Sequence, residues 1–144
     1  MENKINIYCD GGSRGNPGKS ASAFVVEDSN KLIYSESKYL GIATNNFAEY
    51  SAVLLALRWI VTTKLDRENR QIVKKEMVFI LDSELVVKQI NGVYKVKDKK
   101  LKEIYLRIKN ILEKFPQKII FKSVSREKNK AADFLVNRKL DSIV

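Results

Sequence analysis

The segment that decides the fold is residues 4–27, which read KINIYCDGGSRGNPGKSASAFVVE. Ile5, Ile7 and Cys9 alternate with other residue types at every second position, which is the period of a β-strand. Residues 10–19 are rich in Gly, Asn and Ser, so we expect a loop there. The chain then returns to apolar residues, which predicts a second strand.

The rest of the sequence continues this pattern with a turn, three further strands and four helices. Three strands joined by short connections predict an antiparallel meander, and the later alternation of helices and strands predicts an α/β fold with a five-stranded mixed sheet. The predicted elements are strands at residues 20–27 and 32–40 with a turn at 28–31, a helix capped at 44–46 and running to about Leu65, a strand at 76–81, helices at 84–91 and 99–114, a strand at 117–123 and a helix at 129–140.

Composition excludes several kinds of chemistry. The chain has 144 residues, no histidine and one cysteine. A single cysteine rules out an internal disulfide framework and a cysteine-based zinc cluster. Without histidine, Ser-His-Asp mechanisms and imidazole metal sites are excluded as well. The length fits one domain over residues 1–144. There is no membrane-spanning run or signal-peptide pattern, so we expect a cytoplasmic protein.

Positive charge is concentrated in the second half of the chain. The formal net charge is +10, and residues 88–130 hold fourteen Lys or Arg against four acids. Such a field favours a polyanion such as nucleic acid. An anionic membrane fits less well, because this segment has no strong Trp or Phe face to insert. A merely well-solvated basic surface is the remaining interpretation.

Four carboxylates stand at the ends of predicted elements: Asp10, Glu49, Asp82 and Asp133. Each has a structural alternative as a turn former, a helix cap or a partner of a helix dipole. Together, at converging positions and without histidine, they indicate a site for divalent cations such as Mg²⁺ or Mn²⁺, which prefer oxygen ligands. Two ions about 3.5–4 Å apart can support phosphodiester hydrolysis.

The sequence resembles type 1 ribonuclease H across nearly its whole length, and this family has the ribonuclease H-like fold. The matching motifs are YCDGGSRGNPG at residues 8–18, TNNFAEY at 44–50, LDS at 81–83 with QING at 89–92, and SREKNKAAD at 125–133. The resemblance implies an endonuclease that cuts the RNA strand of an RNA/DNA hybrid and leaves 3′-OH and 5′-phosphate ends.

The resemblance also implies a role for each carboxylate. Asp10 would bridge two metal ions, and Asp133 would hold the ion that activates water. Glu49 and Asp82 would hold the ion facing the leaving group. The same resemblance implies substrate contacts by a further set of residues: Gly11, Gly12, Ser13, Asn16, Thr44, Asn45, Asn46, Tyr94, Lys95 and Lys97. For Asn16 and Asn45, turn and capping roles are the structural alternative, and Tyr94 can equally be a core or loop tyrosine.

Two departures from the family pattern stand out. Many members carry a mobile histidine before the last helix, whereas this chain has Arg126 and Glu127 there and resembles a histidine-free branch. Glu127 would then act near the water-side metal; the alternative is a solvated loop residue. The chain also lacks the long basic protrusion of some members. We expect a monomer that binds RNA/DNA hybrid without a protein partner. The alternatives are another nuclease of this fold, a non-catalytic hybrid-binding module and a basic structural protein.

Overall fold

The structure, a computed structural model, describes residues 4–64, 75–115 and 118–143. The element order βββ-α-β-α-α-β-α is confirmed, and the described element ends lie within three residues of the predicted ones apart from the first hairpin. Leu65 and Gln117, the predicted ends of a helix and a strand, fall outside the described residues. In chain order the elements are β1 (Lys4–Arg14), β2 (Gly18–Asp28), β3 (Lys31–Ala43), α1 (Asn45–Lys64), β4 (Glu76–Leu81), α2 (Glu84–Ile90), α3 (Lys99–Leu112), β5 (Ile119–Ser123), a 3-10 turn (Arg126–Lys128) and α4 (Lys130–Asp141).

The five strands form one mixed sheet in the order β3-β2-β1-β4-β5. The β1–β2 and β2–β3 pairs are antiparallel, as expected for a meander. The β1–β4 and β4–β5 pairs are parallel, because the connections between them contain helices. Strand β1 is therefore the centre of the sheet, and the end of β1 lies beside the end of β4.

The loop predicted at residues 10–19 is wrong. Strand β1 continues to Arg14 and pairs with β2 through Asp10–Ala23, Gly12–Ala21 and Arg14–Lys19, so only three residues turn the chain. The apolar alternation stops at Asp10, and at Gly11 helix α1 approaches the backbone too closely for a side chain. Hydrogen bonding of the strand does not depend on those side chains, which is why the strand runs on.

The turn predicted between β2 and β3 is confirmed. Ser29 and Asn30 both have positive φ, 53° and 64°. Two consecutive residues in this region form a type of turn whose twist matches the two flanking strands, and Asn tolerates this conformation well.

Helices cover both faces of the sheet. Helix α1 carries apolar residues nearly all round, and it lies between the sheet and α3 in the main core with Ile7, Phe24 and Phe79. Helix α4 packs on the opposite face, where a smaller cluster joins Ala21 and Ala23 of β2 to Val136 and Leu140. None of the described helices is both long and apolar enough to cross a membrane.

Candidate active site

Two of the predicted acids meet because strands β1 and β4 run in parallel. The pairing register places Tyr8 beside Ile80. Asp10 and Asp82 each lie two residues further along, at the edge where ligands collect in α/β sheets. The helix that follows β4 is capped by Ser83, whose Oγ accepts from the Val86 amide at 3.2 Å. Since Ser83 is the cap, the carboxylate of Asp82 is not used for this purpose.

The third acid, Glu49, is brought in by a close approach of α1 to β1. A Cβ added to Gly11 would lie 2.1 Å from the carbonyl carbon of Ala48. Only glycine permits this contact. The Gly11 amide also donates to Glu49 Oε1 at 3.2 Å. The helix is held further by Ser22, whose hydroxyl donates to the Ala48 carbonyl at 2.6 Å. Gly11 thus has a packing role beyond the substrate contact expected from the sequence.

These three side chains form a compact cluster. One carboxylate oxygen from each of Asp10, Glu49 and Asp82 lies within 4.8 Å of the others. Asp10 and Glu49 are each only 5% exposed. Asp133, in the first turn of α4, lines the same cleft, and its charge acts on Asp10, although it is not a member of the three-residue cluster. The structure therefore brings all four predicted carboxylates to one cleft.

Burial and mutual repulsion shift the acids toward their protonated forms. Burial raises the pKa of Asp10 to about 7; the adjacent Glu49 carboxyl opposes this rise, and the charges of Asp82 and Asp133 add to it. Burial, and then the charge of Asp10, raises the pKa of Glu49 well above its ordinary value. Burial also raises the pKa of Asp82, while the charge of Arg126 opposes it. A bound cation would relieve the repulsion in this cluster.

The residues present fit a divalent cation. Glu49 Oε2 is buried and has no hydrogen-bond partner among the described residues. A buried carboxylate oxygen without a donor is costly unless a cation satisfies it. The donor set consists of oxygens alone, which suits Mg²⁺ or Mn²⁺.

The acids open into a cleft of about 610 Å³. Two cationic side chains stand on its wall. Arg126 Nε lies 3.7 Å from Asp82 Oδ2. Arg14 Nη2 lies 2.6 Å from Asp141 Oδ1 and donates to the Asn137 carbonyl at 3.3 Å, which ties the β1–β2 hairpin to the end of α4.

Several of the predicted substrate-binding residues line this cleft or the groove beside it. The cleft is lined by Gly11, Gly12, Ser13, Asn45 and Asn46. The neighbouring groove, of about 730 Å³, includes Asn16 and Thr44 and shares Asn45 and Asn46 with the cleft. The two openings therefore form a continuous surface around the N-terminus of α1.

Asn16 and Asn45 also have structural roles, which were their alternative interpretation, and Thr44 has one as well. Asn16 Oδ1 accepts from the Asn45 amide at 2.9 Å, and Asn45 Oδ1 accepts from the Ser13 amide at 2.8 Å. Thr44 Oγ1 caps α1 by accepting from the Phe47 amide at 3.2 Å. These bonds fix the hairpin against the helix.

Four predicted site residues line neither the cleft nor the neighbouring groove: Glu127, Tyr94, Lys95 and Lys97. All four are exposed. The ring of Tyr94 lies under Lys88, whose Nζ is 5.2 Å from the ring centroid. The segment at residues 94–97 is held by Gln89. Its side-chain amide donates to the Lys95 carbonyl at 3.3 Å, and its side-chain oxygen accepts from the Tyr50 hydroxyl at 2.5 Å.

One residue beside the site was missed as a site residue at the sequence level. Asn129 is 1% exposed, and its side-chain amide donates to the Cys9 carbonyl at 2.8 Å. In sequence it belonged to the SREKNKAAD motif and was the first residue of the last predicted helix, with no site role assigned to it. A signal was present, since Asn at the start of a helix is a capping residue, but the sequence does not show what the side chain contacts.

Comparison with known proteins assigns the family. The model of the reverse transcriptase-like family matches residues 8–139. The structure of LC11-RNase H1, isolated from compost by a metagenomic approach, is 42% identical with a TM-score of 0.86, and the match covers 96% of each chain. The chain belongs to the ribonuclease H family.

Other members of the ribonuclease H family show the same likeness. RNase H1 from the halophilic archaeon Halobacterium salinarum is 32% identical with a TM-score of 0.83, and the match covers 96% of this chain and 98% of that one. Bifunctional protein Rv2228c of Mycobacterium tuberculosis is 33% identical over 141 residues, or 96% of this chain. This ribonuclease H chain spans only 36% of the length of that curated relative.

Proposed function

We propose that this chain is an endonuclease that hydrolyses the RNA strand of RNA/DNA hybrids with two divalent cations, leaving 5′-phosphate and 3′-OH ends. The observation that carries the proposal is the cluster of three carboxylates, two of them buried, with the unpartnered Glu49 Oε2, in an open cleft. A structure of LC11-RNase H1 in complex with RNA/DNA hybrid, 40% identical to this chain, supports the choice of substrate.

The acids divide into a buried pair and two at the rim of the cleft. We assign Asp10 to both cations, Glu49 and Asp82 to the cation at the leaving group, and Asp133 to the cation at the water. When bound, Mg²⁺ or Mn²⁺ would supply activation of the attacking water and charge stabilisation at the leaving oxygen. The chain's own part is to hold these oxygens in place, through the Gly11 contact for Glu49 and the Ser83 cap beside Asp82.

Proton binding to this site opposes cation binding. At neutral pH the raised pKa values keep part of the Asp10 and Glu49 pair protonated while no cation is present. Cations and the acids' protons therefore compete for the same oxygens, and substrate phosphates that help to hold the cations favour the deprotonated state.

Substrate recognition is assigned to the surface around the N-terminus of α1. Gly12, Ser13, Asn45 and Asn46 line the cleft, where backbone and amide groups can contact sugars and base edges in the wide minor groove of a hybrid. We assign the neighbouring groove, with Thr44, to a phosphate of the DNA strand. We assign contacts further along the duplex to three residues outside the cleft, Tyr94, Lys95 and Lys97.

The remaining assignments follow the sequence-based expectations. We propose a single catalytic domain that acts as a monomer in the cytoplasm and belongs to the histidine-free branch. Glu127 is exposed on the 3-10 turn next to Arg126, which lines the cleft, and we assign it a role near the water-side metal.

A substrate panel tests the proposal. Labelled duplexes of one sequence, as RNA/DNA hybrid, double-stranded RNA and double-stranded DNA, are incubated with Mg²⁺ and then Mn²⁺. Hybrids with one, two, four or many ribonucleotides extend the panel. We expect cleavage within runs of four or more ribonucleotides, with products that a 5′-phosphate-dependent exonuclease degrades. Cutting of another duplex while the hybrid stays intact would refute the proposed specificity.

A further inference from the structure

Asn129 links the strand that carries Asp10 to the helix that carries Asp133. Its side chain is 1% exposed, and its amide donates to the Cys9 carbonyl at 2.8 Å, a contact between residues 120 positions apart. Cys9 immediately precedes Asp10 in β1. On its other side, the carbonyl of Asn129 accepts from the Asp133 amide at 3.2 Å. A single residue therefore touches the backbone next to Asp10 and the backbone of Asp133.

The contact between Asn129 and Cys9 lies just beyond the point where β1 stops pairing with β4. The pairing register of β1 with β4 ends at Tyr8 and Ile80. Cys9 is the next residue, and its carbonyl is bonded by the side chain that precedes α4. Helix α4 itself is attached to the sheet by the small cluster around Val136, which lies further along the helix than Asp133. Asn129 thus forms a polar connection between the end of β1 and the start of α4, beside Asp10 and Asp133.

Asn129 holds this contact instead of capping its own helix. It occupies the N-cap position of α4, yet its side chain makes no cap hydrogen bond. Asn is among the most favoured capping residues, and the first amides of a helix need such partners. Its Oδ1 is also buried without a hydrogen-bond partner among the described residues. When a residue at an active site does not make the local hydrogen bond that its type and position favour, a functional constraint on that position is indicated.

We propose that Asn129 is a positioning residue that sets Asp133 against Asp10 and thereby tunes the affinity of the site for divalent cations. The expected effect on catalysis rests on the proposed function. The expected effect on cation binding rests on the geometry of the cleft alone. Residues that orient metal ligands act in this way in other metal sites, where their loss costs about 10–100-fold in affinity or activity.

The test uses Asn129→Leu, which keeps the number and branching of the side-chain heavy atoms and removes the donor without adding charge. The matched control is Asn91→Leu. Asn91 donates its side-chain amide to the Phe121 carbonyl at 3.2 Å, so the control removes the same kind of bond, and Asn91 does not line the cleft. Mn²⁺ and Mg²⁺ binding without substrate is measured by calorimetry on folded protein, together with kcat and KM on hybrid.

We expect Asn129→Leu to weaken Mn²⁺ binding by about tenfold or more and to lower kcat similarly, with KM within about threefold. Asn91→Leu should bind Mn²⁺ as the unchanged chain does. Equal Mn²⁺ affinity in the two variants would overturn the inference. If Asn129→Leu does not fold, Asn129→Ala supplies the same comparison. If the unchanged chain cuts no hybrid but only Asn129→Leu loses Mn²⁺ affinity, the positioning role stands and the proposed function fails.

Discussion

The backbone amide of Gly11 donates to Oε1 of Glu49 at 3.2 Å, across a contact so close that a Cβ on Gly11 would overlap the backbone of Ala48. This relationship places a buried acid from a helix beside the acid at the end of the central strand. It also explains why a glycine, Gly11, stands in the strand where the site begins.

Gly11→Ala should move helix α1 away from β1. The added methyl group would meet backbone atoms at 2.1–2.4 Å, which no side-chain rotation relieves. We expect a loss of about 3 kcal/mol in the free energy of unfolding, measured by urea denaturation, with weaker cation binding. Gly12→Ala is the control, since its added Cβ would meet only a Val136 methyl at 3.4 Å. Equal stability of the two variants would contradict this account.

Asp10→Asn should abolish cleavage and leave hybrid affinity within about tenfold, because phosphate contacts supply most of the binding free energy. Rates with Mg²⁺ and equilibrium binding to an uncleaved hybrid measure the two effects. Substantial residual cleavage would refute the assignment of Asp10 to both cations. Glu103→Gln, on the exposed face of α3, removes one negative charge elsewhere and should leave cleavage unchanged.

The same substitution should change how stability depends on pH. The pKa of Asp10 rises from 3.8 to about 7 on folding, so the folded chain binds this proton more tightly than the unfolded chain. The resulting stabilisation is complete below about pH 4 and is lost as the pH rises through 7. Without metal, Asp10→Asn should therefore be more stable than the unchanged chain at pH 8, by about 1–3 kcal/mol, and gain nothing from this source at pH 4. If the difference in the free energy of unfolding between the two proteins, measured by urea denaturation, does not change with pH, the raised pKa of Asp10 is contradicted.

Mg²⁺ binding should strengthen as the pH rises from 6 to 8. Cations must displace protons from Asp10 and Glu49, whose pKa values are raised by burial. Calorimetry in buffers of different ionisation enthalpy measures both the affinity and the protons released. Affinity that stays constant across this range, with no proton release, would show that the acids are already ionised.

Lys95 and Lys97 test whether the exposed segment after α2 contacts phosphates. Replacing both by Ala should lower the slope of log affinity against log salt by about 2, since each lost phosphate contact removes roughly one unit. Cleavage at saturating hybrid should be unaffected, because neither residue lines the cleft. The control replaces Lys31 and Lys38, two exposed lysines of β3. The same change of slope in both pairs would mean that only overall charge matters.

The fold could be predicted where side-chain periodicity reports burial. Strand β1 is visible in its alternating first half, and its second half is hidden because α1 leaves no space for side chains over Gly11. Backbone hydrogen bonds continued the strand where the pattern had ended. A sequence pattern records which side chains are buried, and it is silent where the backbone itself makes the contact.

The site was predictable to the extent that it depends on strand ends. Asp10 and Asp82 meet because of the parallel register, which the element order already suggested. The contacts of single polar side chains were less accessible. Asn45 and Thr44 fix the start of α1, and Asn129 reaches across 120 positions to Cys9. Residue type shows that an Asn can donate, while only the three-dimensional arrangement shows to which carbonyl.

The attachment of α4 to the sheet has a consequence for the thermal behaviour of the protein. The cluster under α4 contains four buried apolar residues, whereas the main core includes α1 and most of the strands. Regions with few buried contacts open at lower free energy than the whole molecule. We expect hydrogen exchange in α4 to outpace that in β1 and β4. On warming, α4 should therefore unfold first and remove Asp133 from the cleft. In the resulting state the sheet and the cluster of Asp10, Glu49 and Asp82 persist, but cleavage has stopped.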